Sequence, residues 1–322
     1  MAADKAVVVI PADDPAMVGR SRHLDQLREL ADVRLYSDRP DSAEQMLERL
    51  RPADILLNSR SAVKVEQRLL DQLPRLKMIA VCGIGYDSID IEAASARGIV
   101  VSNIPGRTAA VVAEHAFTLM LSVARRIPEM TRRIRAGQWP DDLGISLPGR
   151  QIGIVGTGNI GRQMIRLCRG LGMRVVAWSY HPQPELAEEL EFRYASLEEV
   201  LLTSDVISLH VRLSEQSRHL IGAEQLALMK SGAVLINTAR AAVVDTTALA
   251  AALQQGRLFG AGIDVFDEEP VTGDNPLLAC PNVVLTPHSA DQTPEGLDML
   301  TLGCCDNIRA FLDGRPQNVI VG

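Results

Sequence analysis

An apolar run, Ile152-Gly153-Ile154-Val155, leads into Gly156-Thr157-Gly158-Asn159-Ile160-Gly161 and then into an amphipathic stretch over 162–169. Glycine at the first, third and sixth places of a turn, with a strand before it and a helix after it, constrains the fold severely. Gly156 permits the tight turn, Gly158 lets backbone approach a pyrophosphate, and Gly161 lets helix and strand pack closely. The helix N-terminus, with its unpaired N–H groups, then faces the anion. A further apolar run at 175–178 supplies a second strand, so the pattern reads as the phosphate turn of a doubly wound sheet that binds a dinucleotide.

In such sheets an Asp or Glu about 20 residues further on accepts hydrogen bonds from the adenosine ribose. Here Trp178-Ser179-Tyr180-His181 stands at that place, and Ser179 takes the acid's position. The charge that would repel a 2′-phosphate is missing, yet no Arg follows to bind one, and His181 reads as a solvated loop residue. NAD and NADP both stay open as cofactor, with NAD slightly favoured.

The glycine turn opens the second of two α/β series. Apolar runs at 152–155, 175–178, 206–210, 234–237, 261–265 and 283–286 alternate with helical patterns, which makes a Rossmann-type parallel sheet. Upstream, runs at 7–10, 33–36, 54–57, 77–81 and 99–102 have the same rhythm and predict a second parallel sheet. A length of 322 residues suits two such domains. The last helical pattern, from Pro294 to Leu312, follows the final strand of the second series and is expected to pack back on the first.

Composition removes several function classes. A formal charge of −7, from 33 Lys+Arg against 40 Asp+Glu, provides no positive field for nucleic acid or anionic lipid. The cysteines at 82, 168, 280, 304 and 305 form no C-x-x-C pair, so they read as reduced packing residues and no metal site is expected. The most apolar stretch, 109–127, carries Glu114 and His115 and ends in Arg125-Arg126, which suits a buried helix better than a bilayer span. The apolar run at the N-terminus is too short for a secretion signal, and a cytoplasmic location is the expectation.

Parallel strands align their carboxyl ends along one edge of the sheet, where ligands bind. Arg240 follows the run 234–237, Glu269 lies beyond 261–265, and His288 follows 283–286, so all three can converge on that edge. Beside a nicotinamide, an Arg holds a substrate carboxylate as a bidentate fork, a His gives a proton as hydride arrives at a carbonyl, and a Glu stabilises the imidazolium.

Several separated stretches, in this order, resemble the D-isomer-specific 2-hydroxyacid dehydrogenases. They are Gly83-Ile84-Gly85-Tyr86-Asp87-Ser88-Ile89-Asp90, Val112-Ala113-Glu114-His115, Leu147-Pro148-Gly149, Asn237-Thr238-Ala239-Arg240, Gly262-Ile263-Asp264-Val265-Phe266 with Glu268-Glu269-Pro270, and Thr286-Pro287-His288. The resemblance implies that Arg240, Glu269 and His288 are the catalytic trio, with His288 as proton donor or acceptor. It implies that amides around Ile84 and Gly85 receive the substrate carboxylate and that Arg60 reaches substrate. Asp264 is expected to meet the nicotinamide carboxamide, while Thr108, Asn159, Ile160, His210, Val211, Thr238 and Ala239 line the cofactor.

For architecture it implies a discontinuous, flavodoxin-like substrate domain, 1–104 with 294–322, a Rossmann cofactor domain over 105–293, and a cleft between them. A homodimer joined through the cofactor domains is expected, with the long helix after Pro105 near the contact. The activity implied is hydride transfer between NAD(P)H and a small 2-oxoacid of the glyoxylate, hydroxypyruvate or pyruvate type. Alternatives are a phosphoglycerate or phosphite dehydrogenase of the same family, or a nucleotide-sensing co-repressor-like scaffold. Two departures stand out: Ala241 where the family usually has Gly, and Ser289-Ala290-Asp291 after the histidine.

Overall fold

A computed structural model describes residues 5–322. It divides into two compact units: the chain up to Thr108 together with Asp291–Gly322, and Ala109–Ala290. The boundaries fall slightly inside those suggested by Pro105 and Pro294. Arg107 pairs with Asp306, which keeps the turn before Ala109 with the first unit, and the Asp291 carbonyl accepts from Thr293 N, which ties that turn to the helix Pro294–Leu312.

The strands are β1 (Val7–Ile10), β2 (Asp32–Leu35), β3 (Ile55–Ser59), β4 (Met78–Cys82), β5 (Val100–Ser102), β6 (Gln151–Val155), β7 (Arg174–Trp178), β8 (Arg193–Tyr194), β9 (Val206–Leu209), β10 (Ala233–Asn237), β11 (Leu258–Ile263), β12 (Val283–Leu285) and β13 (Val319–Val321). In the first unit the order is β13-β5-β4-β3-β1-β2, the flavodoxin-like order with one addition. Every pairing is parallel except that of β13, which runs antiparallel to β5. Successive residues point to opposite faces, so Val9, Leu56, Ile79 and Val101 enter one buried cluster and Val8, Ile55, Leu57 and Met78 the other. With both faces covered, the strands read as continuous apolar runs rather than alternating ones. Leu300, Cys304, Cys305 and Ile308 of the C-terminal helix pack on the second of those faces.

In the second unit the order is β12-β11-β10-β9-β6-β7-β8, all parallel, with the chain reversing its winding direction between β6 and β9. The apolar helix Ala109–Ala124 buries Ala113, Ala116, Leu119, Met120 and Val123 in this unit's core. Among the described residues no helix is long and apolar enough to cross a membrane.

Two short edge strands, β8 and β13, have no counterpart in the sequence reading. Stretches of two and three residues carry no periodicity to detect, and their pairing is decided by the neighbour each one meets. Among the described residues all five cysteines are free thiols, four of them buried. Burial pushes the Cys168 thiol up to about 12 and the Cys305 thiol up to about 11, so both stay protonated and inert.

Gly161 lies in the first turn of the helix Asn159–Gly170, where it meets the end of β6, and a methyl group there would strike the Gly156 carbonyl oxygen. At Gly158 a methyl group would meet open space. Gly161→Ala is therefore expected to cost about 1–3 kcal/mol, seen as a lower urea midpoint, while Gly158→Ala leaves the midpoint near its original value. Equal midpoints for the two variants would show that the turn relaxes without cost.

Candidate active site

Pairing in the second sheet puts Leu285, Ile263, Asn237, Leu209, Val155 and Trp178 on one line across six strands. The next residue on each strand is then Thr286, Asp264, Thr238, His210, Gly156 and Ser179. The ladder continues one step further, with Thr286 N donating to Ile263 O at 3.0 Å, Asp264 N to Asn237 O at 3.0 Å, His210 N to Val155 O at 2.8 Å and Gly156 N to Trp178 O at 2.7 Å. Residues far apart in sequence are thereby level along one edge.

The middle of that edge has the features a dinucleotide requires. Gly156 adopts φ +102°, and a Cβ there would lie 2.8 Å from the His210 carbonyl carbon and oxygen, so only glycine lets the ends of β6 and β9 meet. Asn159 and Ile160 open the following helix, with Gly158 before them in extended conformation. Among the described residues neither His210 Nδ1 nor Thr238 Oγ1, both shielded from solvent, has a hydrogen-bond partner. Two buried polar atoms without partners on the sheet edge that bears the glycine turn fit a polar ligand that completes them. Val211 is buried and Ala239 half-buried, while Thr108, also buried, is the last residue of the first unit's N-terminal stretch.

His210 gives Nε2 to a contact of 2.9 Å with Ser208 Oγ. Burial pulls its pKa from 6.5 down to about 4, so the ring is uncharged at neutral pH.

At the other end of the edge, His288 Nδ1 lies 2.7 Å from Glu269 Oε2, and Glu269 Oε1 accepts from Phe266 N at 3.0 Å. The carboxylate is thus held by backbone on one oxygen and by imidazole on the other. His288 sits in a left-handed conformation, φ +51°, unusual outside glycine. Arg240 leaves β10 through a turn braced by Asn237, whose side chain accepts from Ala239 N and donates to the Arg240 carbonyl, both at 3.0 Å. One guanidinium nitrogen, Nη1, donates to Ala239 O at 2.8 Å.

Asp264 is wholly buried, and its bonds are internal. Oδ1 accepts from Thr286 Oγ1 at 2.6 Å and Ser289 N at 2.8 Å, and Oδ2 from Ala290 N at 3.0 Å. Burial opposes ionisation, but hydrogen bonds from His115, Thr286 and Ser289 outweigh it and hold the carboxyl below the usual carboxylate range. In this arrangement Asp264 is the anchor of the turn that carries His288.

In the first unit, Arg60 follows β3 and Gly83 follows β4, whose last residues, Ser59 and Cys82, are paired. Arg60 and Ser61 both take positive φ, 51° and 54°. Asn103 Nδ2 donates to the Ile84 carbonyl at 2.7 Å. The N–H groups of Ile84 and Gly85 donate to no group among the described residues.

Comparison with known proteins follows this geometry closely. The NAD-binding domain of the D-isomer specific 2-hydroxyacid dehydrogenases matches residues 117–290. A glyoxylate reductase of Thermococcus litoralis is 42% identical over 285 residues, covering 85% of this chain and 86% of its own. The chain belongs to the D-isomer-specific 2-hydroxyacid dehydrogenase family. It is an NAD(P)-dependent dehydrogenase. Two solved structures extend the likeness over nearly the whole length. Aquifex aeolicus D-lactate dehydrogenase, complexed with NAD and lactic acid, has a TM-score of 0.85 at 30% identity, covering 98% of this chain and 99% of that one. An acyclic imino acid reductase in complex with NADPH and D-Arg has a TM-score of 0.86 at 28% identity, covering 98% and 100%.

Within this dehydrogenase the two departures from the family sequence are accommodated by the backbone. Ala241 begins a short 3-10 turn, Ala241–Val243, and has no positive φ, so the missing glycine does not displace the loop. Ser289 and Ala290 contribute main-chain N–H groups to Asp264, a role that does not depend on their side chains.

Three participants escaped sequence reasoning. Thr286 and His115 belong to the Asp264 cluster, and Arg162 donates to Thr157 O at 3.2 Å and to Gln183 Oε1 at 2.8 Å. Arg162 therefore puts a guanidinium between the glycine turn and the loop after Ser179, where sequence alone had found no arginine. Ser179 itself accepts from His181 N at 3.3 Å. The only available signal for Arg162 was its place directly after Gly161.

The depressed His210 value has a direct readout. Its ring C–H resonances are expected to stay constant from pH 8 to 5 and to titrate near 4; a transition near 6.5 would mean a solvated ring. The unfolded chain binds this proton below about 6.5 and the folded chain only near 4. Stability from this group is therefore lost as pH falls through that window, and His210→Gln should flatten that part of the acid-unfolding curve.

Proposed function

We propose that this dehydrogenase reduces a small 2-oxoacid of the glyoxylate, hydroxypyruvate or pyruvate type to the D-2-hydroxyacid, with His288 as proton donor. The observation that carries the reading is the 2.7 Å contact between His288 Nδ1 and Glu269 on the sheet edge that also bears the glycine turn. With Nδ1 held by Glu269, the proton exchanged with substrate is assigned to Nε2. The carboxylate fixes the ring's orientation, so that the imidazole can pass a proton to a carbonyl oxygen as it becomes an alkoxide.

Arg240 takes the substrate carboxylate as a two-pronged donor, on a turn that Asn237 holds rigid. In the first unit, the amides of Ile84 and Gly85 and the side chain of Arg60 are assigned to substrate. Gly156, Gly158, Asn159, Ile160 and Gly161 hold the dinucleotide's phosphates, and His210, Val211, Thr238, Ala239 and Thr108 line its path. A reduced nicotinamide bound there supplies the hydride. His210, kept neutral by burial, adds no charge to repel the oxidised ring. Both cofactors are admitted: Ser179 removes the acid that excludes a 2′-phosphate, and complexes with NAD and NADPH occur among the structural neighbours. The glyoxylate reductase name of the Thermococcus relative and the lactic acid in the Aquifex complex both support a short substrate.

The reading includes a homodimer joined through the second unit. Ile127 and Ile134 of the helix Ile127–Arg135 are exposed, and beyond it Trp139 and Leu143 are 90% and 85% exposed. Apolar side chains clustered in one segment are uncommon on a monomer's surface and fit a self-association face. Free thiols throughout agree with a reducing, cytoplasmic setting.

Purified protein mixed with NADH or NADPH and a panel of 2-oxoacids is expected to oxidise the cofactor with the shorter acids; no oxidation with any member would overturn the assignment. His288→Ala should lower kcat by roughly 10²-fold or more with cofactor affinity little changed. Arg240→Lys should chiefly raise KM, because an ammonium lacks the planar fork. Light scattering should give twice the chain mass for the wild type and the single mass for Trp139→Asp combined with Leu143→Asp.

A further inference from the structure

The tightest polar cluster outside the His288–Glu269 pair is centred on Asp264, and one member comes from a different element. His115, on the helix Ala109–Ala124, places Nε2 3.0 Å from Thr286 Oγ1 and 3.4 Å from Asp264 Oδ1. We infer that His115 is a positioning residue for the reaction, acting through Thr286 and Asp264 on the turn that holds His288. The inference rests on His288 being the proton donor.

The hydrogen-bond roles follow from chemistry. Asp264 is held in its ionised form and can only accept, so Thr286 gives its hydroxyl proton to Oδ1. The Thr286 oxygen then offers only lone pairs, and His115 must donate to it from a protonated Nε2. That proton also faces Oδ1, so a single N–H supports both the hydroxyl and the carboxylate.

Position gives the cluster its effect. Asp264 accepts from Ser289 N and Ala290 N, the two residues after His288, and Thr286 lies two residues before it. His288 N donates to Thr286 O at 2.9 Å, closing a tight turn with His288 at φ +51°. A left-handed non-glycine residue persists only where its surroundings hold it. The carboxylate grips the turn on both sides of the strained residue, yet Asp264, Thr286, Ser289 and Ala290 all belong to the ends of adjoining strands β11 and β12. His115 ties the cluster to the helix behind them. That helix is fixed by Ala113, Ala116, Leu119 and Met120 in the core, so the imidazole has a rigid base.

Loss of the His115 donor is expected to widen the range of positions His288 samples, which lowers the fraction of bound substrate within reach of proton transfer. His115→Phe keeps a ring of similar size without the N–H; His115→Gln keeps an amide N–H near the position of Nε2. His115→Phe should reduce kcat by about 10-fold or more, with KM and the Kd for NADH or NADPH within about twofold of wild type. His115→Gln should recover most of that loss. In a His288→Ala background, His115→Phe should cause no further decrease, because the residue through which it acts is gone.

A kcat for His115→Phe equal to wild type would overturn the inference, as would a loss confined to KM, or one that multiplies with that of His288→Ala. Should His115→Phe fail to fold, His115→Gln decides: kcat near wild type supports the inference, and a 10-fold loss despite the retained donor refutes it. If instead His288→Ala itself keeps full turnover, the proton-donor reading has failed, a result distinct from a failure at His115.

Discussion

Everything at the site depends on the register of one parallel sheet. Main-chain hydrogen bonding puts Val155, Leu209, Asn237, Ile263 and Leu285 on a common line, so each strand releases its chain at the same height. A slip of one residue in any strand would turn its side chains to the opposite face and move its last polar residue out of reach. Fully buried faces on both sides make such a slip costly, because every apolar residue would lose its cluster. Core packing, remote from any chemistry, is what levels the functional edge.

On that edge two carboxylates of one sign perform different work because their surroundings differ. Glu269 is exposed and holds an imidazole, while Asp264 is sealed from water and surrounded by donors. A buried carboxylate without partners would be strongly destabilising; with hydroxyl, amide and imidazole donors it becomes a rigid acceptor that organises a turn. Its bonds to Thr286, Ser289 and Ala290, and its position one residue past β11, make Asp264 the point from which the His288 turn is built.

The glycine turn, the alternation of strands and helices and the placement of polar residues after strands were legible because each lies in a contiguous stretch. Strand ends were less so: the run 261–265 predicts a strand that ends two residues beyond Ile263, since Asp264 and Val265 stay buried past the strand's end. The edge strands β8 and β13 depend on a neighbour distant in sequence, and the domain boundaries moved because Arg107 finds Asp306 across nearly two hundred positions. A glycine usual in the family at position 241 suggests a positive φ, but Ala241 opens a 3-10 turn that has none.

By itself the sequence determined which chemical groups this enzyme possesses and in what order the chain presents them. A glycine turn, a guanidinium, a carboxylate and an imidazole are properties of residue type, and the strand that precedes each is a property of local pattern. Tertiary structure alone decided which atoms of those groups remain available. Contact with Glu269 fixes the His288 ring through Nδ1, burial makes Asp264 an anchor and His210 neutral, and the helix Asn159–Gly170 carries Arg162 to the loop beyond β7. Each of these outcomes depends on distance and solvent access between elements that are separate in sequence, and neither quantity is written in the order of residues.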